Sequence, residues 1–572
     1  MCGPMLRYDT VVDGIWHGFC MLVSADAGSV YDPKPVLRWS PQPFTGAGGV
    51  NGLTDGIQGV HLDGASAFRE VHAEKIFEFH ALHGGNSFWR FKLEIPMQKH
   101  EQVISYNINS SLHNQFHIAA ADKNWTWVGH SCNGFSSGVK VEDFNGPSPL
   151  WDDLLARHKE RPIHALIGGG DQIYCDPIAR EPELHDWLSS TDMDWKAEQP
   201  LTPEMRFAMH RFFFSHYAAW YRNGGFAKAI ASIPQVNMLD DHDLIDGFGT
   251  YPDKLMMSPV FNAIGSIGYF WYLLFQMHIY DGTKTEGNTN KSILFGPKGP
   301  YLPFQAHHFL TYLGPNTYIC LVDCRCERKV DQICSKESYD VIFKALRALP
   351  PSVHQVIMLL GVPIAYPRMV LAESIMESRF LPTTLLQKTG TGLTNRFNGQ
   401  MELLDDLRDH WCATPHKPER NNLVLECARL AKERSFRITY LSGDVHAGCV
   451  SELFTKGGKV KPENDPAYML NVISSAIVNT PPPPGMITLL NKLASKTHKT
   501  LWKENIDERM MELYKEDTDG SKLKNTRIMG RRNYCIVDYE DDGALRFDMR
   551  MEISQGQGTT KGYAAFAPAV KY

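Results

Sequence analysis

The segment HALIGGGDQIYCDPI, from His164 to Ile178, ends an apolar run in three glycines and then sets Asp171, Tyr174 and Asp176 close together. Carboxylates and a phenol directly after a buried strand are groups that bind cations and move protons. The pattern recurs along the chain: WTWVGHSCN ends at Cys132, IPQVNMLDDHD at Asp240 to Asp243, TYICLVDCR at Asp323 and Arg325, and FRITYLSGDVH at Asp444 and His446. A single Asp after a strand ordinarily caps a helix or closes an Asx-turn, and that reading suffices for Asp323. DDHD resists it, because three carboxylates around one imidazole repel one another unless cations or donors neutralise them. Carboxylate, imidazole, thiolate and phenolate together suit hard and borderline metals, and iron accepts the whole mixture.

Positioning such a set requires an α/β framework, since ligands of open α/β sheets bind beyond the carboxyl ends of the strands. Residues 1–125 read as an N-terminal all-β sandwich domain, with short alternating segments such as KIFEFHAL and SFWRFKLEI between turn residues. From 126 to 480 apolar runs alternate with helical periods: Trp151, Leu154 and Leu155 in PLWDDLLARHKE, Leu403, Leu404, Leu407 and Trp411 in LLDDLRDHW, and LVLECARLAKER before the next strand. NTPPPP breaks the chain, and 481–533 reads as an insertion carrying a long charged helix over about 487–516. Residues 534–572 return to strands, with Asp542-Gly543 as a hairpin signal, and complete the α/β domain.

Composition narrows the function classes. The 572 residues are 43% hydrophobic and 21% charged with a net charge of −6, which fits a globular protein and excludes a dedicated nucleic-acid partner. The apolar SIGYFWYLLFQMHIY contains Gln276 and His278 and falls short of the ~20 residues of a spanning helix, so it reads as a buried helix. MCGPMLRYDTVVDG has no sustained apolar stretch after a basic start, and the 12 cysteines are scattered, so a cytoplasmic location is expected.

GGGDQIY, MLDDHD and LSGDVH, in that order and with a Cys just after the upstream strand in GHSCNGF, resemble the PhoD-like phosphatases and phosphodiesterases of the calcineurin-like metallophosphoesterase superfamily. NGQMELLDDLRDHW and NTPPPP resemble their fungal-type branch. The resemblance implies a metallophosphoesterase-type α/β sandwich, in a family where an N-terminal β-sandwich also occurs. It implies that Asp171 bridges two metal ions, that Tyr174 binds the more oxidised one as phenolate, and that Cys132 is a thiolate on the same iron. It further implies that Asp241 is a ligand, that His242 faces the leaving group, and that Asp444 and His446 close the set. The metals implied are Fe3+ with Ca2+ or another divalent cation, and ligation by three Asp suits calcium. GVPIAYP lacks the His that many superfamily members carry on that strand.

Two cations holding a hydroxide would hydrolyse a phosphate ester, mono- or diester, without a protein nucleophile. His242 would protonate the leaving group. Arg325 reads either as a phosphate clamp through its forked guanidinium or as an ion pair with Asp323 or Glu327. Cys320, Cys324, Cys326 and Cys334 lack the paired C-x₂-C knuckles of structural zinc and read chiefly as ordinary thiols, with redox sensing as a further reading. Lys492, Lys496, Lys499 and Lys503 fall on one face of the expected helix, which either packs as a solvated face or lies on an anionic membrane and favours a phospholipid or phosphoinositide substrate. The rival to an enzyme is a non-catalytic phosphate-binding or membrane-adaptor protein on a degenerate metallophosphoesterase scaffold.

Overall fold

The computed structural model describes residues 2–44, 68–80, 84–280, 290–367, 409–501 and 504–572. Ala165–Gly169 lies parallel between Trp127–His130 and Gln235–Met238, so three of the strands that end in candidate ligands sit side by side. Gln355–Leu359 lies parallel between Thr317–Leu321 and Arg437–Ser442 in a second sheet, with Met469–Ser474 beyond. Each is short, and all but Thr317–Leu321, where Tyr318 is half-buried, are wholly buried, as strands covered on both faces must be. Among the described residues, each of the two large sheets has ten strands.

The sheets stack face to face. Val128, Leu166, Ile167 and Val236 of the first share a core with Ile357, Leu359 and Leu441 of the second. The alternate residues Val356, Met358, Ile438 and Tyr440 point the other way, into a core with the helices Lys336–Arg347 and Lys417–Arg434. The helices Pro149–Glu160 and Pro259–Met277 belong to the larger core on the first sheet, each with proline in the first turn, where a missing N–H costs nothing. This is the metallophosphoesterase-type α/β sandwich that the motifs imply.

The N-terminal strands pack as two layers, with Trp16 of one against Phe116 of the other at 5.3 Å between ring centres, and the first layer is continuous with the main sheet. Cys2–Val12 pairs in parallel with Gln235–Met238, and Ile15–Ala25, Asn86–Pro96 and Glu74–Phe79 continue the first sheet. Val36–Pro43, Arg69–His72, Gln102–Ile108 and Ser111–Ile118 form a separate four-stranded sheet. The reason for that continuity is burial on both faces: Met5, Leu6, Tyr8, Phe19, Cys20 and Met21 are all covered, which an edge domain does not require. At the other end Asn533–Tyr539 joins Trp127–His130, followed by Leu545–Glu552 and Thr560–Ala567.

The long charged helix is corrected. The helix runs only over Pro484–Leu493, and the chain then forms the strands His498–Leu501 and Ile506–Met510, the latter paired with Gly448–Thr455. Edge pairing, with Leu501 and Ile506 buried against the second sheet's core, wins over helical periodicity. Lys492 therefore sits on a helix, Lys496 in a bend and Lys499 on a strand, so they share no helical face. Lys503, Trp502, the loop QKTGTGLTNRFNGQ and most of LLDDLRDHW lie outside the described residues.

The glycines before Asp171 have a steric cause. Gly170 has φ +112°, and a Cβ there would stand 2.6 Å from Cβ of Asp240. Gly361, after Gln355–Leu359, leaves only 2.7 Å to Asp240 Oδ2 for the same atom. Asp240 is thus held between two backbones that tolerate no side chain. Gly170→Ala is expected to cost about 1–3 kcal/mol, read as a lowered melting temperature of the intact chain, because alanine must adopt a left-handed conformation and displace Asp240.

Candidate metal centre

Strand ends bring the candidate residues to one place. Cys132, Asp171, Asp444 and His446 all have positive φ, at +53°, +54°, +70° and +50°. That region is uncommon for residues other than glycine, and its recurrence at strand ends marks a site where side-chain direction outweighs backbone comfort. Tyr174 Oη lies 3.4 Å from Asp171 Oδ2 and 3.1 Å from Nε2 of His446. The Cys132 thiol lies 3.6 Å from the same Asp171 oxygen and 3.1 Å from the Ser475 hydroxyl. Thiol, carboxylate, phenol and imidazole thus form one continuous set. Asp171, Asp241 and His242 form a second grouping, offering ligand atoms within 4.8 Å of one another.

DDHD divides its labour. Asp243 accepts from the backbone N–H groups of Asp171 (2.9 Å), Ile173 (3.3 Å) and Asp240 (2.9 Å) and from Nε2 of Gln276 (2.8 Å), so it is a structural carboxylate that fixes the turn carrying Asp171. Asp240 is held by Nε of Arg325. Asp241 accepts from the Gly247 N–H at 2.7 Å and lies 3.4 Å from Nη2 of Arg325. His242 donates through Nδ1 to Asp176 at 2.8 Å, and Asp176 is itself anchored by the Asp246 N–H at 2.9 Å. Its ring stacks on Tyr174 with centroids 4.3 Å apart.

The electrostatics describe a site short of positive charge. Burial, then the neighbouring Cys132, pushes Asp171 well above the usual carboxylate range. Burial raises Asp444 to about 7, with Asp409 and Asp241 adding repulsion. Burial likewise raises Asp240 to about 7 although Arg325 opposes it. Tyr174 is raised by burial and by Cys132, so its phenol keeps its proton without a cation beside it. His242 goes the other way: burial opposes its charge, but Asp176 and then Asp241 hold it well above the ordinary imidazole value. Asp171 Oδ1 is buried with no hydrogen-bond partner. An orphaned carboxylate oxygen among mutually repelling acids, a thiol and a phenol fits a metal ion. The spacings of 3.1–3.6 Å between donors also match the edges of a coordination shell about 2.0–2.3 Å in radius.

Arg325 corrects one expectation. It is wholly buried, and its partners are Asp240, Asp241 and Asp409, with Asp409 held at 2.7 and 2.6 Å through both terminal nitrogens. Neither Asp323 nor Glu327 receives its guanidinium; Asp323 Oδ1 accepts only backbone N–H groups of Arg325 and Cys326. The fork is occupied by carboxylates, so it is not available to clamp a phosphate. Asp409 lies inside NGQMELLDDLRDHW, where the helical period drew attention to Leu403, Leu404, Leu407 and Trp411 and gave no sign that this acid meets Arg325. Asn479 was hidden in NTPPPP: it bonds Ser136 at 2.8 Å and lies 3.4 Å from His446 Nε2. Asp176 was visible in the opening segment, but only the fold shows that its partner is His242.

The cysteine cluster does not form a metal site. Among the described residues, the one group of three or more His, Cys, Asp or Glu side chains with ligand spacing is Asp171, Asp241 and His242. Cys320, Cys324, Cys326 and Cys334 are buried; Cys326 donates to the Phe304 carbonyl and Cys334 to the Asp323 carbonyl, both at 3.4 Å.

Comparison with known proteins agrees with the geometry. The model of the family described as PhoD related phosphatase matches residues 95–391 and 384–567. The chain belongs to this family, and at that level it is a phosphoesterase. It is 35% identical over 498 residues to the uncharacterized protein YGR266W of Saccharomyces cerevisiae, covering 79% of this chain and 70% of that one. Among solved structures, that of PhoD aligns with 99% of this chain and 92% of its own at a TM-score of 0.53 and 12% identity, a likeness of fold. The purple acid phosphatase PPD1 from yellow lupin seeds aligns with 98% of this chain and 73% of its own, at 9% identity and a TM-score of 0.46. Among the described residues no helix is long and apolar enough to cross a membrane.

Two outcomes are expected. Arg325→Gln leaves Asp240 buried without its cation and Asp409 with Arg328 alone, so stability falls by about 3–5 kcal/mol in denaturant titration. Asp240 and Asp444 have raised values in the folded state, so the fold binds more protons than the unfolded chain between about pH 4 and 7. Their contribution is therefore favourable at acid pH and lost as pH rises. The melting temperature of chelated protein is expected to fall across that window, and added divalent cation to flatten the fall.

Proposed function

We propose that the protein is a metal-dependent hydrolase of phosphate esters, mono- or diesters. The observation that carries this reading is the run of contacts from the Cys132 thiol and the Tyr174 phenol to Asp171 Oδ2, and from Tyr174 on to His446, beside an Asp171 Oδ1 that has no partner of its own. Cys132, Tyr174 and His446, with Asp171 shared, would hold ferric iron, because thiolate, phenolate and imidazole suit that ion. Asp241 and Asp444, again with Asp171, offer an oxygen-rich side suited to calcium or another divalent cation. When bound, the metals supply a hydroxide at neutral pH and neutralise charge developing at phosphorus.

The chain's own residues supply the rest. Asp176 keeps Nδ1 of His242 engaged and its ring charged, which leaves the Nε2 proton to give to a leaving alkoxide. Stacking on Tyr174 fixes the plane of that ring. Asn479 links His446 to the loop at Ser136, on the rim where substrate would enter. The case for a phospholipid or phosphoinositide rested on lysines sharing one helical face, and Lys492, Lys496 and Lys499 share none, so the proposed substrate stops at the phosphate ester.

The test is metal analysis of the purified protein followed by turnover of an aryl phosphate mono- and diester. Parent protein is expected to carry iron and hydrolyse at least one substrate, and Asp171→Asn to remain folded with activity reduced by at least ~10³-fold, since it removes the carboxylate charge common to both metals. Metal-loaded parent that turns over neither ester would favour the non-catalytic scaffold. A second expectation concerns colour. Ferric protein absorbs in the visible through its phenolate, and Tyr174→Phe bleaches or shifts that band while iron content falls; an unchanged spectrum and iron content would remove Tyr174 from the ligand set.

A further inference from the structure

Away from the metal centre, a second group of buried polar side chains lacks a counterpart. Arg7, on Cys2–Val12, stands level with Gln235, at the start of the strand whose far end leads to Asp240. It is fully buried between Phe19 and Phe309, with its guanidinium carbon 5.8 and 5.5 Å from the two ring centres. Nη1 donates to Asn290 Oδ1, whereas Nε and Nη2 have no partner. The nearest acid along the strand, Asp9, is taken by the backbone N–H groups of Lys291 (2.6 Å) and Ser292 (3.2 Å) and by the Ser292 hydroxyl.

His278 closes the C-terminal end of Pro259–Met277 in a left-handed conformation, at φ +52°. Its ring is fully buried, and neither nitrogen has a partner. Arg90 reaches the same place from Asn86–Pro96: its Nη1 donates to the His278 carbonyl at 3.0 Å, and its guanidinium lies 5.2 Å from the Phe19 ring. Burial first, then Arg7 and Arg90, depresses the charged form of His278, which shows the three groups within electrostatic reach of one another. Two guanidiniums and an imidazole share this space; among the described residues the exposed Glu74 answers Arg90, at 2.8 Å from its Nη2, and Asp9 acts on Arg7 without bonding its free nitrogens. Buried donors and buried charge are ordinarily satisfied, so the two free Arg7 nitrogens and whichever His278 ring nitrogen carries the proton call for an acceptor that the described residues do not provide.

We propose that Arg7, His278 and Arg90 form a binding site for a small inorganic anion of the phosphate, sulfate or halide class, held by the unpartnered Nε and Nη2 of Arg7 and by one ring N–H of His278. The bound anion ties the N-terminal strands to the end of the buried helix Pro259–Met277 and is separate from the metal centre.

Crystals of the full chain soaked in bromide are expected to show an anomalous peak between the Arg7 guanidinium and the His278 ring; water alone there overturns the proposal. Sulfate titration followed by thermal melting gives an independent reading. Parent protein and Asp171→Asn are expected to gain stability saturably, and His278→Asn, whose asparagine accepts the left-handed backbone, to need at least tenfold more sulfate for half the effect. A non-saturating rise shared by all three reports only the general exclusion of sulfate from protein surfaces and overturns the site. A bromide peak without saturable stabilisation marks an adventitious ion only and overturns it equally. Should His278→Asn not fold, the bromide result and the saturation seen in the parent and Asp171→Asn decide the matter.

Discussion

Neutralising buried negative charge is the constraint on which the structure turns. Asp171, Asp240, Asp241, Asp243, Asp409 and Asp444 crowd the carboxyl ends of the strands, and carboxylates out of water remain ionised only beside cations or several hydrogen-bond donors. Two means are built into the chain. Arg325, fully buried, spans Asp240, Asp241 and Asp409, while Asp243 collects three backbone N–H groups and the Gln276 amide. What these leave unanswered is Asp171 and Asp444, and that residue of charge lies where the thiol, the phenol and His446 gather.

Local geometry follows from the same demand. Four of the gathered residues accept left-handed backbone, a conformation that costs roughly 1–3 kcal/mol each and persists only when the surroundings over-determine it. The surroundings here are the two stacked sheets, whose strands are buried on both faces and cannot shift without opening the core. Glycine at 170 and 361 lets both sheets close on Asp240, so the ion pair with Arg325 also fastens one sheet to the other. The absence of a histidine in GVPIAYP has its physical counterpart here: the chain enters that segment through a glycine pressed against Asp240.

Much of this was legible in the sequence, and for a definable reason. Residue type and position after an apolar run report a strand end directly, so Cys132, Asp171, Tyr174, Asp241, His242, Asp444 and His446 could be singled out before any fold was known. The helical period of Pro149–Glu160 was equally plain because that helix buries one face, and the apolar run from Ser266 to Tyr280 was legible as a buried helix because Pro259–Met277 is covered all round, with every residue from Trp271 to Met277 buried. What only the tertiary structure decided depends on partners distant in the chain. The N-terminal strands joined the main sheet through pairing with residues 235–238, the lysine-bearing segment became an edge strand because a sheet edge was available to it, and Arg325 turned inward to three acids, each 84 or 85 positions away. Sequence pattern records which residues prefer burial or a cation; it carries no record of which buried charge will meet which, because that is fixed by the packing of whole sheets.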